Sequence, residues 1–366
     1  MSGPTPLPEY WECFALHYAQ ARQKFLTAAA ALQATTTSYA HPDQAGPHGE
    51  PLHVDLAWIG PTDAKRVLVV ISGTHGSEGA AGSAIQTGWL RTAPTLPDSF
   101  AVMLIHAINP WGFAHGSRTD EHNVDLNRNF LDFDRPLPTN SGYAALHPSL
   151  TPRQWDSHSL DVTGQALDAY VRTHGQAALL DAMTAGQYAY PDGIMFGGVQ
   201  RAWSNRCLQE IVDTHLQDAL EVACMDLHTG IGEHAKVTFM GFHTPGGAQQ
   251  ARAAQLWEPS TPAQAFVPRY QGLLVQGVAS WLNERLVAAT VVEYGTRGPT
   301  RNFASRADRW LRFEAPTQRA DERLDMLRAD MADTLIPIAG TWRNAVLRHG
   351  VNLIGLTVQR LANAST

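Results

Sequence analysis

His75 and Glu78 stand three positions apart in Gly73-Thr74-His75-Gly76-Ser77-Glu78-Gly79, directly after an apolar run from Val67 to Ile71. On the first turn of a helix, side chains at i and i+3 point to one side. An imidazole and a carboxylate converging above the end of a strand supply half of a zinc site. A third ligand is then needed, with a fourth position left open. His228 is the leading candidate, because it ends a second apolar run, Val222-Ala223-Cys224-Met225-Asp226-Leu227. A cation held by two imidazoles and one carboxylate can bring the pKa of a bound water toward roughly 7 and polarise a carbonyl.

Hydrolysis at such a site also wants a general base that is not a ligand. Glu293 follows Val291-Val292, where burying a carboxylate is costly unless it has a purpose. The developing oxyanion calls for a positive donor. Arg118 and Arg128 lie in the segment 109–130, and Asn127 adds an amide beside the planar fork of Arg128, a combination suited to a carboxylate. Asp125 could accept the second N–H of a ligand histidine and fix its tautomer. Its alternative is a turn or cap; that of Arg118 is a surface ion pair. His106, His115, His122, His234 and His243 read as hydrogen-bonded structural histidines, and Trp58, Trp89 and Trp281 as core. Arg297 and Arg301 divide between substrate anchors and ordinary surface.

These residues need elements that bring them to one rim. Trp11, Phe14, Tyr18, Ala21, Phe25, Ala28 and Leu32 recur at helical spacing and predict one amphipathic helix. Pro42, Gly46, Pro47 and Pro51 mark 39–52 as a loop. Strands are expected at 54–58, 66–71, 100–106, 221–227, 236–242 and 289–294. Helices are expected at 80–90, 163–183, 203–220, 248–257, 272–285, 304–312 and 319–335, and 109–113 reads as a turn. A buried strand, a helix and another buried strand imply a parallel sheet covered on both faces, with its site at the carboxyl ends of the strands. The expected architecture is α/β, three layers around a mixed, mostly parallel twisted sheet. A single catalytic domain spans 1–366, with a helix and loop over 1–50, an insertion near the site over 131–200 and covering helices over 300–366.

Composition narrows the partners. The chain has 366 residues, of which 44% are hydrophobic and 17% charged, the balance of a globular protein and not of a disordered one. A net charge of −7 offers no electrostatic footprint for nucleic acid or an anionic membrane. Cys13, Cys207 and Cys224 are odd in number and widely spaced, which points to a reducing compartment. No apolar run reaches the roughly 18 residues of a membrane span, and the first residues do not read as a secretion signal, so a cytoplasmic location is expected. Neither GxSxG nor HExxH is present.

Taken in order, His75-Gly76-Ser77-Glu78, Asn127-Arg128, His228 and Glu293 resemble the zinc carboxypeptidase superfamily, which also contains the succinylglutamate desuccinylases and aspartoacylases. The wording Gly73 to Gly79, Asp226-Leu227-His228-Thr229-Gly230 and Glu293-Tyr294-Gly295 is closer to that deacylase branch and its uncharacterised bacterial relatives. The resemblance implies His75, Glu78 and His228 as ligands of one zinc ion per chain, with Glu293 as general base and acid. It implies Arg128 and Asn127 on a substrate carboxylate, Arg118 polarising the scissile carbonyl, and Asp125 behind the first histidine. Tyr270 lies at a plausible distance before Glu293 for the tyrosine that closes over substrate in carboxypeptidases, although its surroundings do not match. The implied activity is zinc-dependent cleavage of an amide bond in a small carboxylate-bearing substrate, an N-acyl amino acid or short peptide. Carboxypeptidase action on peptide C-termini is the second form of that chemistry. A non-catalytic metal-binding or carboxylate-binding protein is the alternative of another class.

Overall fold

Seven segments rich in β-branched and apolar residues form one sheet. They are β1 (Thr35–Ala45), β2 (Pro51–Ile59), β3 (Arg66–Ser72), β4 (Phe100–His106), β5 (Glu221–Thr229), β6 (Val237–Met240) and β7 (Leu286–Tyr294). Their order across the sheet is β1-β2-β4-β3-β5-β7-β6. The central strands β4, β3, β5 and β7 run parallel, and antiparallel neighbours close both edges. The structure is a computed structural model and describes residues 7–257, 269–297, 301–315 and 322–363, the side chains of 301 and 302 excepted.

Helices cover both faces. The first four are α1 (Tyr10–Cys13), α2 (Tyr18–Ala31), α3 (Gly79–Arg91) and α4 (Pro110–His115). The middle of the chain adds α5 (Ser141–Leu150), α6 (Ser157–His174), α7 (Gln176–Thr184) and α8 (Trp203–His215). Then follow α9 (Ala248–Leu256), α10 (Leu274–Leu282), α11 (Arg301–Phe313), α12 (Glu322–Leu335) and α13 (Gly340–Asn363). Strand residues alternate between faces. Leu68, Val70, Leu104 and Met225 are buried with Phe25, Ile85, Trp89, Trp342 and Ile354 of α2, α3 and α13. Val67, Val69, Met103 and Cys224 are buried on the other face with Leu208 and Ile211 of α8 and Leu274 and Val278 of α10. Three layers result. No described helix is long and apolar enough to cross a membrane.

Several elements differ from expectation, each for a local reason. The stretch 39–52 is not a loop: β1 and β2 pair across a turn at 46–50. Pro42 lies in the edge strand β1, where a missing N–H can face away from the ladder. The amphipathic helix breaks between Cys13 and Tyr18 although its apolar spacing runs through the break. The helix expected at 163–183 divides at Gly175, whose φ of 87° ends α6. The turn at 109–113 is instead the start of α4, capped by Asn109, whose side chain accepts from the Gly112 N–H at 2.9 Å. Two helices, α5 and α13, were not anticipated. In α13, Gly350 weakens the helical signal because α3 packs so close that a Cβ there would lie 2.5 Å from Ile85. The expected start of α12 at 319 lies outside the described residues.

The long excursion from β4 to β5 carries the insertion. Tyr143, Leu146, Leu150, Leu179 and Met183 of α5 and α7 make a small core of their own. The limb that follows α7 comes back against the segment 123–130, which precedes the insertion in the chain. Asp125 N–H donates to the Phe196 carbonyl at 2.7 Å, and the Asn129 side chain donates to the carbonyls of Gly197 and Gln200. The insertion therefore braces the loop that carries Asp125 to Arg128.

Candidate active site

The chain leaves β3 through α3 to β4 on one side, and comes back as β5 on the other side of β3. In open α/β sheets the crevice at such a reversal, outside the carboxyl ends of the strands, is where ligands bind. His75 follows β3, His228 is the penultimate residue of β5, and Glu293 is the penultimate residue of β7. His228 and Glu293 are register partners on adjacent parallel strands, so their side chains emerge on the same face.

Glu78 is brought under His75 by a single 3₁₀ turn, Gly76–Glu78. Gly76 is required there: a Cβ would run into the backbone of Gly112 and Phe113 in α4. Gly76→Ala is expected to destabilise the fold by about 3 kcal/mol, because backbone on both sides cannot yield as a flexible side chain would. Urea denaturation would measure this, and an unchanged midpoint would refute the close approach.

The three ligand candidates meet. His75 Nδ1 lies 3.0 Å from Glu78 Oε1, and His228 Nδ1 lies 3.2 Å from Glu78 Oε2. The two Nδ1 atoms are 3.1 Å apart. Each ring turns its Nε2 to a carboxylate, His75 to Asp125 Oδ1 at 3.2 Å and His228 to Asp226 Oδ2 at 2.8 Å. Glu78 also accepts from the Thr229 N–H at 3.0 Å, and Thr74 donates to Asp226 Oδ1 at 2.7 Å. All of these side chains are buried.

This donor set fits a divalent cation. With an N–H on each Nε2, both Nδ1 lone pairs face the same point, and at hydrogen-bond distance they repel unless a proton or a cation lies between them. Two nitrogens, each about 2.05 Å from a zinc ion at a tetrahedral angle, stand about 3.3 Å apart. Charge argues the same way. Burial opposes ionisation of Glu78, but His75 and His228 outweigh it and hold the carboxyl well below its usual range. Burial opposes ionisation of Asp125 too, and Arg118 and His75 overcome it. Burial would lower His228, yet Asp226 and Glu78 push it up to about 10. Asp226 and Glu78 thus lie close enough to His228 to hold positive charge there, whether as a proton or as a metal ion.

Arg118 joins the cluster. Its Nε donates to Asp125 Oδ2 at 3.0 Å and its Nη1 to Glu78 Oε1 at 3.3 Å, while Nη2 lies 2.8 Å from His75 Nε2. It is buried and not the surface ion pair that was its alternative. Asp125 both faces His75 and caps the turn 126–128, accepting from the Asn127 N–H at 3.0 Å, so its two readings hold together. Glu293 is buried and accepts from the Ile231 N–H at 3.2 Å.

Arg128 and Asn127 are placed differently from a carboxylate clamp. Arg128 donates from Nε to the Thr184 carbonyl at 3.0 Å and from Nη2 to the same oxygen at 2.6 Å. Its Nη1 donates to the Asn127 carbonyl, and its guanidinium stands 4.9 Å from the ring centre of Tyr270. Asn127 Oδ1 accepts from the Leu274 N–H at 2.8 Å. These bonds tie the loop to the insertion and to α10. Tyr270 packs edge-on against Phe242. Arg297 pairs with Asp333 at 2.9 Å, and the Arg301 side chain and Gly298 lie outside the described residues. His106, His115, His234 and His243 have structural partners, Ser83 and the backbone of Ala45, Thr296 and Ala289 respectively.

Two contributors were missed in the sequence. Asp226 is two residues before His228 and so on the same face of β5, a spacing that could have revealed it. Asp308 of α11 accepts from the Arg118 N–H at 2.8 Å and from Ser117 Oγ at 2.9 Å, and no local pattern announces it. Asp226→Asn is expected to weaken zinc binding by about 10- to 100-fold, since it removes the acceptor that orients the His228 ring. Competition with a chromogenic chelator would measure this; wild-type affinity in the variant would show that the ring is positioned otherwise.

A family model described as "Protein of unknown function (DUF2817)" matches residues 14–349. No curated protein matches the chain. Among solved structures, carboxypeptidase A from Helicoverpa armigera is similar at 12% identity and a TM-score of 0.46, over 88% of this chain and 74% of that one. The succinylglutamate desuccinylase from Chromobacterium violaceum is similar at 15% identity and a TM-score of 0.32, over 86% of this chain and 74% of that one. An aspartoacylase family protein from Mesorhizobium loti is similar at 12% identity and a TM-score of 0.38, over 76% of this chain and 66% of that one. These are the kinds of protein that the motifs resemble.

Proposed function

We propose that this chain, which belongs to the DUF2817 family of proteins of unknown function, is a metal-dependent hydrolase cleaving an amide bond in a small carboxylate-bearing substrate. The observation that carries the reading is the pair of buried Nδ1 atoms 3.1 Å apart, with Glu78 between them and a carboxylate behind each ring. His75, Glu78 and His228 would hold one zinc ion, which when bound supplies a Lewis acid for the carbonyl and for the attacking water.

The chain's own residues would do the rest. Glu293, beside His228 across β5 and β7, takes a proton from the attacking water and returns it to the departing amine. Arg118 carries the positive charge nearest the ligand set and balances Glu78 and Asp125, so that negative charge developing on the carbonyl oxygen meets a preset field. Asp125 and Asp226 hold the two imidazoles in the tautomer that presents Nδ1. Arg128 and Asn127 would have to exchange their bonds to Thr184 and Leu274 before meeting a substrate carboxylate. Burial of the whole set keeps the local dielectric low, which strengthens each of these interactions.

N-acyl amino acids and short peptides are the substrates to try, with deacylase and carboxypeptidase action as two outcomes of one chemistry. A cytoplasmic setting suits the three cysteines, all of them free and buried. The test is release of free amine from a panel of N-acyl amino acids and dipeptides by zinc-loaded protein. Turnover that disappears on chelation and returns with zinc supports the proposal. A fully zinc-loaded protein inert across the panel would favour the non-catalytic binding reading.

A further inference from the structure

The catalytic candidates are shut in. His75, Glu78, Arg118, His228 and Glu293 are each no more than 4% exposed, so a substrate reaches them only if a neighbouring element moves. The pair α11 and α12 has the build of such an element. Its apolar side chains turn on one another: Ala307, Trp310, Leu324, Leu327, Met331 and Leu335 are buried in a cluster separate from the two that pack the sheet. Among the described residues, Trp155 of the insertion alone joins that cluster from outside 301–336. The other ties are largely polar. Arg309 is held by Asp192, Arg312 by Thr119 Oγ1 and the Asp120 carbonyl, and Asp333 by Arg297. Between the pair and α4 lies a cavity of about 340 Å³, lined by Trp111, His115, Ser117, Asp308, Arg312 and Met331. A close-packed interior does not leave such a space. Swinging the pair outward keeps its own apolar contacts buried and breaks mainly hydrogen bonds that water can replace.

Two of the polar ties run to the site itself. At the end of α12 the Leu335 carbonyl accepts from Thr229 Oγ1 at 2.7 Å, and the Thr229 N–H donates to Glu78 Oε2 at 3.0 Å. From α11 the buried Asp308 Oδ2 accepts from the Arg118 N–H at 2.8 Å and from Ser117 Oγ at 2.9 Å. The helix α12 also touches the Gly76–Glu78 turn. The backbone of Arg118 is thus held from two sides, by Asp308 and by the Gly76 N–H, which donates to its carbonyl at 3.3 Å. Its guanidinium reaches Asp125, Glu78 and His75 from that anchored backbone. A misplacement of about 1 Å at a reacting centre can cost on the order of 10²-fold in rate, so whatever fixes this peptide matters to the chemistry. We propose that α11 and α12 form a cap that opens to admit substrate, and that Asp308 is the positioning residue through which closing the cap sets Arg118 in the cluster.

The word substrate rests on the hydrolase reading, so one arm of the test is independent of turnover. Hydrogen–deuterium exchange is followed by mass spectrometry in zinc-loaded wild type, Asp308→Ala and Thr229→Val. The valine keeps the Thr229 N–H and removes only the hydroxyl that holds Leu335. Each variant is expected to speed exchange ~10-fold in both 301–313 and 322–335, with α3, α13 and β5 as in wild type, because a cap opens as one unit. Acceleration confined to the helix that lost its bond, or spread equally over α3 and β5, overturns the proposal. In the second arm, kcat is measured for an N-acyl amino acid that the wild type cleaves. Asp308→Ala should lower it by ~10-fold, and Asp308→Asn, whose amide oxygen can still accept both bonds, should restore most of the loss. In an Arg118→Ala background, Asp308→Ala should change kcat by less than about twofold, since the residue it acts through is gone. Equal losses in both backgrounds would show that Asp308 does not work through Arg118, a result that a merely structural aspartate would give. If nothing is turned over but both variants loosen both helices, the hydrolase reading fails and the cap stands. Turnover with exchange in both helices unmoved by either variant has the opposite meaning.

Discussion

Replacing Glu293 with glutamine is expected to lower kcat for amide hydrolysis by about 10³-fold, with zinc still bound. The carboxyl is buried at the end of β7, next to His228 in the sheet, and its Oε2 accepts the Ile231 N–H. A glutamine oxygen can keep that hydrogen bond, so the fold and the ligand set should be undisturbed. What it cannot do is accept a proton from water and hand it to the leaving amine. Steady-state kinetics together with metal analysis of the same preparation would check both halves of the statement. Undiminished turnover in the variant would remove Glu293 from the reaction, and loss of metal together with activity would recast it as a ligand.

Removing an imidazole should have the second large effect. His228→Ala is expected to weaken zinc binding by on the order of 10³-fold, because only His75 and Glu78 then remain of the set. The consequence for stability follows from linkage. A metal that binds only the folded chain stabilises it by roughly 4 kcal/mol at a thousand times its dissociation constant, and the variant should show almost none of this at the same concentration. Thermal melting with and without added zinc reads the difference directly. The substitution also leaves Asp226 without its imidazole partner in a fully buried position, which should lower the melting temperature even when no zinc is added. Equal zinc-induced shifts in wild type and variant would mean that the ion sits elsewhere.

Much of this site was legible in one dimension because parallel sheets are built from recognisable pieces. An uninterrupted apolar run such as Val67 to Ile71 marks a strand buried on both faces, and the polar residues just after it are the ones that reach the rim. His75, Glu78, His228 and Glu293 all follow or end such runs, so their approximate placement needed no coordinates. The supporting groups are a different matter. Asp226 could have been recognised from alternation along β5. Asp308 could not, because it meets Arg118 across a separation of 190 residues and sits in a helix whose pattern says only that one face is buried. Pro42 misled because proline signals a turn unless the strand is at the edge of its sheet, and edge position is a property of the assembled sheet alone.

Residue order along the chain determined the central strands, the turn that presents His75 with Glu78, and the kind of chemistry those side chains could share. These depend on neighbours within a few positions, where backbone sterics and hydrophobic periodicity act directly. Tertiary structure decided that the two imidazoles face each other through Nδ1 and that Arg118 lies in the cluster while Arg128 turns to the Thr184 carbonyl. A guanidinium's binding partner depends on which acceptor the packed chain brings within about 3 Å of it, and that distance is set by contacts far apart in sequence.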